Sequence, residues 1–190
     1  MAVHLTKIYT RTGDEGTTGL SNFERVSKND IRLHAYADTE EANAALGQVL
    51  AIGKPRADVA ASLRRVQNEL FDAGADLATP IEQHPKYPPL RIEPEYIERL
   101  EAECDAYNEE LEALNSFILP GGTPTSALIH TARTITRRAE RMAWAAFEQH
   151  PDTTSKMPAQ YLNRLSDLLF ILGRIENAAN DIKWVPGGDR

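Results

Sequence analysis

Cysteine is almost absent from this chain, since Cys104 is the only one among 190 residues. A single thiol excludes an internal disulfide framework and a zinc site built on several cysteines. The five histidines are scattered, and no two stand at metal-ligand spacing beside a third donor. We therefore expect a reducing compartment and a Cys104 packed in the core. No metal ligand can be identified from the sequence.

The sequence also lacks an excess of positive charge and a long apolar run. Its formal net charge is −7 at pH 7, whereas binding to a nucleic-acid backbone relies on a basic surface. No apolar run approaches the roughly 20 residues that a membrane-spanning helix needs, and the first residues lack the pattern of a signal peptide. We predict a cytoplasmic protein that binds neither nucleic acid nor a membrane.

Helical periodicity is what the chain does have. After a polar opening up to about residue 27, apolar residues recur every three to four positions, and no sustained strand is expected. The length and the 42% hydrophobic content suit a single domain over residues 1–190. We predict an all-α fold, an up-and-down five-helix bundle, with residues 184–190 as a flexible tail.

Proline, glycine and capping residues divide the chain into helices. Residues 79–94 contain five prolines, which exclude a helix there because proline lacks the amide donor. Thr123 is placed as an N-cap with Pro124 at the first helical position. The predicted helices are about 29–52, 59–77, 97–114, a long helix after Thr123, and a fifth after the break at 151–158.

The fourth predicted helix carries an unusual density of arginine. Steps of about 100° per residue place Arg133, Arg137, Glu140 and Arg141 on one face, opposite the apolar stripe of the same helix. With Arg138 added, arginines greatly outnumber the single acid Glu140. This excess indicates a site for an anionic ligand or a contact between subunits. Surface ion pairs, worth ~0.5 kcal/mol each, are the alternative.

Residues 10–19 form a loop rich in glycine and threonine. Such loops can wrap phosphate oxygens, because glycine lets successive backbone amides converge. The loop does not end in the Gly-Lys-Ser/Thr of a Walker A motif, so its composition also suits a plain structural turn. Lys28 follows shortly afterwards and offers a compact charge for a phosphate.

Two further helices carry polar groups beside their apolar stripes. Glu40, Glu41 and Asn43 lie among alanines, which let helices approach closely, so a carboxylate here is placed to reach an arginine of the fourth helix. Asn163 and Arg164 lie at the start of the fifth helix. Solvated helix faces are the alternative for both groups.

Four segments together resemble the PduO-type cobalamin adenosyltransferases. They are residues 10–18 (Thr-Arg-Thr-Gly-Asp-Glu-Gly-Thr-Thr), 117–123 (Phe-Ile-Leu-Pro-Gly-Gly-Thr), 130–141 (His-Thr-Ala-Arg-Thr-Ile-Thr-Arg-Arg-Ala-Glu-Arg) and 161–167 (Tyr-Leu-Asn-Arg-Leu-Ser-Asp). They occur in the family's order over nearly the whole chain. The resemblance implies a ferritin-like five-helix bundle that assembles as a trimer, with ATP bound between neighbouring subunits and the corrinoid beside it.

The resemblance also implies the reaction. In this family the cobalt of cob(I)alamin attacks the 5′ carbon of ATP, so that adenosylcobalamin forms and triphosphate leaves. The protein then contributes positioning and charge stabilisation rather than covalent catalysis. ATP is expected to bring a divalent cation, Mg²⁺. A corrinoid reductase and an adenosylcobalamin-dependent mutase are the partners such an activity requires.

The family's site residues carry over to matching positions of this chain. Phe117 is expected to cover the lower face of the corrin, where it excludes water and the axial base. Arg137 is expected to steady the leaving triphosphate, since a guanidinium can hold two phosphate oxygens. The residues implied for ATP are Thr10, Arg11, Thr12, Gly13, Thr18 and Lys28, joined from the adjacent subunit by Arg137, Arg138, Glu140, Arg141 and Asn163.

One position departs from the family pattern. Where the family usually has Gly-x-x-Asp-Glu-Leu-Asn, residues 37–43 read Ala-Asp-Thr-Glu-Glu-Ala-Asn. Glu40 therefore replaces the aspartate that is expected to pair with Arg133 at the corrinoid site. The carboxylate is one methylene longer, and Asp38 is an alternative partner. We expect corrinoid affinity to be the property that this change affects.

Two other kinds of function fit parts of the pattern. A carrier or sensor would hold ATP and a corrinoid with little turnover, which Glu40 favours and which Arg133, Arg137 and Phe117 oppose. A purely structural bundle would use its arginine face for acidic patches of its own subunits. The structural protein would show no ATP-dependent rise in melting temperature, whereas a protein that binds ATP in its folded state would.

Overall fold

The structure of the chain is a computed structural model that describes residues 8–178 and 180–189. Its body consists of five helices, α1 Ile31–Gln48, α2 Ala57–Leu77, α3 Pro94–Asn108, α4 Pro124–Gln149 and α5 Met157–Ile175. Helix α4 packs against both α1 and α5, while α2 lies beside α1 and α3 beside α5. The prediction of an all-α five-helix bundle is confirmed.

Within the described ranges, none of the helices combines the length and the apolar character needed to cross a membrane.

Small residues let α1 and α4 pack closely. Ala35 and Ala42 of α1 and Ala132 and Ala139 of α4 are all fully buried. Thr136, buried among them, satisfies its own hydroxyl by donating to the backbone carbonyl of Ala132 at 2.9 Å. Because α4 uses its small and apolar side for packing, its arginine-bearing side remains at the surface.

Capping residues set the starts of the two central helices. The Asp30 carboxylate accepts the backbone N–H of Arg32 at 2.9 Å and caps α1. Thr123 accepts the N–H of Ser126 at 3.2 Å, with Pro124 in the first turn, as the sequence predicted for α4. At its far end α1 continues into a π-helical turn, Val49–Gly53, so the predicted span of about 29–52 covers both pieces.

Helix α3 is shorter than predicted. It ends at Asn108, whereas the apolar pattern extended to Leu114. The residues that follow include Glu109, Glu110 and Glu112, and negative charge is unfavourable at the carboxyl end of a helix. Arg56 of the segment before α2 also binds Glu110, with an N–O distance of 2.8 Å.

A small hairpin was missed from the sequence. Strands β1, Thr17–Gly19, and β2, Arg25–Ser27, pair antiparallel, with Thr18 opposite Val26. Strands of three residues are too short to show an alternating pattern. Arg25 donates to the Thr12 carbonyl at 2.7 Å and to the Thr17 hydroxyl at 2.6 Å, which fixes the preceding loop against the hairpin.

The segment after α5 returns along the loop before α4. Trp184 donates its backbone N–H to the Phe117 carbonyl at 2.8 Å, and Leu119 donates to Ile182 at 2.8 Å. Trp184, the first residue of the predicted flexible tail, is thus paired with the 117–119 segment. The flexibility of residues 184–190 stays a prediction.

Candidate active site

The arginine side of α4 is exposed as expected. Arg137 and Arg141 are exposed, while Arg138 and Glu140 are half-buried. Arg141 reaches back one turn and lies 3.4 Å from the Arg137 carbonyl oxygen. Neither Arg137 nor Arg141 forms a salt bridge with any carboxylate in the described part of the chain. Both guanidinium groups are therefore available to an anion from outside the chain.

Arg138 is held by helix α1. Its Nε lies 3.3 Å from Asp38 Oδ2, and its Nη2 contacts Glu41 Oε2. These carboxylates raise the pKa of the Arg138 guanidinium. A carboxylate of the first helix thus reaches the fourth helix, as the alanines of α1 suggested. In the single chain Arg138 already has two anionic partners, so its part in ATP binding stays a prediction.

The Glu40–Arg133 pair is not formed within the single chain, so the expected contact at the corrinoid site stays a prediction. Arg133 folds its guanidinium over the Phe170 ring, 5.7 Å from the ring centroid, and its Nε is buried with no hydrogen-bond partner among the described residues. Glu40 instead lies on the exposed side of α1. The alternative partner Asp38 is also unavailable, because it binds Arg138.

Burial lowers the pKa values of Arg133 and of the neighbouring His130. Removal from water lowers the pKa of Arg133, and the nearby charge of Arg137 lowers it further. One turn earlier, His130 is 4% exposed, and burial together with Arg133 lowers its pKa. Sequence reasoning did not select His130 as a site residue. Its position three residues before Arg133 on the same helix was the available signal.

The 10–13 loop and Lys28 come together. The Thr10 and Thr12 hydroxyl oxygens are 2.9 Å apart, and Arg11 takes a positive φ of 63°. A Cβ atom added to Gly13 would lie 3.1 Å from the Lys28 Nζ, so the lysine ammonium packs directly on this glycine. The structure therefore places one compact cation beside the loop that was predicted to bind phosphate.

A surface cleft of about 270 Å³ lies between the hairpin and α1. It is lined by Thr18, Lys28, Leu33, His34, Tyr36 and Ala37. Thr18 and Lys28 are predicted ATP-binding residues, whereas His34 and Tyr36 were not selected from the sequence. His34 and Tyr36 lie with Leu33 and Ala37 on one side of α1, as helical periodicity would predict. They could not be recognised as cleft residues because the other wall of the cleft is the hairpin, which was not predicted. None of the α4 arginines lines this cleft.

The other predicted residues lie apart from this cleft. Phe117 is 79% exposed, and its ring meets the Trp184 ring edge-on, with the centroids 6.2 Å apart. Asn163 is exposed near the start of α5, where its backbone carbonyl accepts the Ser166 hydroxyl at 2.8 Å. Among the described residues no group of three or more histidine, cysteine or acidic side chains is arranged to hold a metal ion.

This arrangement defines a helical-bundle protein with exposed arginines on one helix and a lysine that lies against a glycine-rich loop. The family is shown by comparison with known proteins. A model of the cobalamin adenosyltransferase family matches residues 8–176. The chain belongs to the cobalamin adenosyltransferase family.

Individual relatives agree with the family. A corrinoid adenosyltransferase of Mycobacterium tuberculosis is 65% identical over 100% of this chain and 98% of the relative. One from Bacillus subtilis is 41% identical over 93% of this chain and 89% of the relative. A solved variant of the PduO-type ATP:corrinoid adenosyltransferase from Lactobacillus reuteri, complexed with cobalamin and ATP, has a TM-score of 0.84 and 33% identity, covering 95% of this chain and 100% of that one.

Proposed function

We propose that this chain carries out the reaction of its family, the transfer of the 5′-deoxyadenosyl group of ATP to cob(I)alamin. The electron pair of cobalt forms the bond to the 5′ carbon of ATP. The carbon–oxygen bond to triphosphate breaks, and its electron pair leaves with triphosphate. The observation that carries the proposal is the exposed, unpaired Arg137 and Arg141 on α4 in a chain that matches the family over residues 8–176.

The triphosphate lies beside the hairpin in this proposal. The Lys28 ammonium lies against Gly13 of the loop, and a cation at this position suits an anion with many acceptor oxygens. Negative charge grows on the leaving triphosphate as the carbon–oxygen bond breaks, so fixed donors stabilise the transition state more than bound ATP. The proposed contacts from this side are Thr10, Arg11, Thr12, Gly13, Thr18 and Lys28.

The second half of the nucleotide site comes from a neighbouring subunit. The α4 arginines do not line the cleft that contains Thr18 and Lys28, which supports a site shared between two copies of the chain. We infer a homotrimer, in which each α4 faces the hairpin of the next subunit. The residues proposed from that side are Arg137, Arg138, Glu140, Arg141 and Asn163.

Phe117 is the proposed corrin contact. An aromatic side chain with 79% of its surface exposed is costly in water and suits stacking on a large planar ligand. Placed below cobalt, the ring excludes water and the axial base, and the metal is then easier to reduce to its nucleophilic state. Glu40 and Arg133 do not pair within one chain, so we place their contact between subunits at the corrinoid site.

The metal and the partners follow from the chemistry. Mg²⁺ usually binds substrate phosphates and retains several waters rather than occupying an all-protein cage, so we expect it to enter with ATP. Cob(I)alamin must be generated by a reductase, and a mutase that uses adenosylcobalamin would consume the product.

Anaerobic conversion of cob(I)alamin with MgATP, followed by absorbance, tests the proposal. Arg137→Ala should lower kcat by about 100- to 1,000-fold, the usual loss when a donor to developing charge is removed. Phe117→Ala should impair corrinoid-dependent turnover while leaving ATP binding intact. Arg64→Ala and Tyr87→Ala, which change an exposed arginine and an exposed tyrosine elsewhere, should keep full activity.

The same assay also gives the results that would contradict the proposed function and the proposed role of Arg137. If the parent protein binds ATP and cobalamin but shows no turnover, it is a carrier rather than an enzyme. If Arg137→Ala retains parental kcat, this arginine does not stabilise the leaving triphosphate.

A further inference from the structure

We infer that His34 is a further triphosphate-binding residue, which in its protonated form donates to a phosphate oxygen in the cleft between the hairpin and α1. The inference rests on the proposed function, because it assigns a new contact within the same nucleotide site. His34 lines the cleft together with Thr18 and Lys28, and its side chain is exposed. An anion held by Lys28 therefore lies within the space that His34 borders.

The neighbouring carboxylates leave His34 free for such a ligand. Asp30, four residues earlier, caps α1 by accepting the Arg32 N–H at 2.9 Å. Asp38, four residues later, is bound to Arg138 at 3.3 Å. The other polar residues lining the cleft are Thr18, Tyr36 and Lys28. Burial, together with the charges of Asp30 and Glu40, raises the pKa of Tyr36. No salt bridge joins His34 to a carboxylate in the described part of the chain.

The chemistry of the cleft explains why a histidine matters here. A lysine side chain ordinarily stays charged near neutral pH, whereas a histidine side chain ordinarily changes charge between pH 5 and 8. A positively charged imidazolium beside a lysine ammonium is unfavourable because the two cations repel each other. A bound triphosphate compensates this repulsion because it attracts both cations. A rise in pH should therefore weaken this contact and favour release of the triphosphate product.

Calorimetric titration of the full chain with inorganic tripolyphosphate and Mg²⁺ at pH 6 and pH 8 tests the inference. Tripolyphosphate itself titrates, so the informative quantity is the ratio of Kd between His34→Gln and the parent at each pH. We expect this ratio to be about three to five at pH 6, the size of an exposed charge contact, and near one at pH 8. His34→Lys should bind at least as tightly as the parent at both values.

Matched variants separate the possible outcomes. His84→Gln changes an exposed loop histidine and should follow the parent at both pH values. If His34→Gln and the parent have equal Kd at pH 6 and at pH 8, His34 does not contact the triphosphate, while the proposed function stands. If the parent binds no tripolyphosphate at either pH, the proposed triphosphate site is wrong, and the role of His34 is wrong with it.

Discussion

Gly122 is predicted to be the most sensitive glycine of the loop that leads from Phe117 to α4. Its φ is +98°, a region that L side chains rarely adopt. A Cβ atom at this position would also overlap the side chain of Asn177, lying 2.5 Å from Cγ and 2.8 Å from Nδ2. Asn177 is 7% exposed and packed, so it cannot swing away without breaking its own contacts.

The loss of unfolding free energy in Gly122→Ala can be calculated from these contacts. Backbone strain at such a position costs about 1–3 kcal/mol. Displacing Asn177 also removes the hydrogen bond from the Thr123 N–H to Asn177 Oδ1, 3.1 Å long, which costs about 1 kcal/mol. Gly122→Ala should therefore lower the free energy of unfolding by about 2–4 kcal/mol. Because Thr123 caps α4, the loss should reach the arginine-bearing helix as well.

Denaturant unfolding at one fixed protein concentration measures this effect, since subunit association otherwise shifts the apparent stability. Gly74→Ala is the matched control, because that glycine is helical and has nothing within 4 Å of an added Cβ. The control should be neutral or stabilising by up to about 1 kcal/mol. A Gly122→Ala protein within 0.5 kcal/mol of the parent, roughly the size of a neutral surface change, would refute the reasoning.

Two further predictions concern buried polar side chains. Burial and Arg133 lower the pKa of His130, against a smaller opposite effect of Asp181, so the unfolded chain takes up a proton first as the pH falls. As the pH falls from about 6.5, the free energy of unfolding should therefore decrease by at most about 1.4 kcal/mol per pH unit. Denaturant unfolding of His130→Gln at several pH values should lack this component of the pH dependence. The fully buried Tyr161 donates its hydroxyl hydrogen to Glu69 at 2.9 Å, so Tyr161→Phe should lower the free energy of unfolding by about 2 kcal/mol. The Tyr107 hydroxyl lies 3.5 Å from Ser62 Oγ, so Tyr107→Phe should lower it by less in the same denaturant measurement. Equal losses in the two variants would contradict the assignment.

Much of the fold could be predicted because its signals are local. The apolar repeat of α2, the cap at Thr123 and the prolines of the 79–94 loop each determine nearby backbone without reference to distant residues. Local signals failed where charge or length overrode them. Acidic residues ended α3 at Asn108 despite an apolar pattern, and strands of three residues at β1 and β2 carried too little pattern to detect.

The site was predictable in composition and less so in its contacts. The arginine face of α4 followed from helical periodicity, and its exposure is observed. Which carboxylate meets which arginine did not follow, because Asp38, Glu40 and Glu41 are close in sequence and a helix does not turn all three toward the same neighbour. The helix turns Asp38 and Glu41, three residues apart, toward Arg138, and leaves Glu40 between them exposed.

Ion pairs distinguish Arg138 from the other arginines on the exposed side of α4. The chain has 28 acidic residues against 21 basic ones, so an arginine at the surface readily finds a carboxylate. Those in salt bridges are Arg56, Arg65, Arg91, Arg99, Arg138, Arg164 and Arg174.

Arg133, Arg137 and Arg141 form no such pair within the described chain, although all three lie on one side of α4. Keeping three like charges unpaired on adjacent turns is unfavourable for an isolated subunit. Burial lowers the pKa of Arg133, and the charge of Arg137 lowers it further. The repulsion would be relieved by an anion that binds the two exposed guanidinium groups, Arg137 and Arg141. A polyphosphate should therefore raise the melting temperature of the parent more than that of Arg141→Ala, and equal shifts would show that the unpaired arginines serve another purpose.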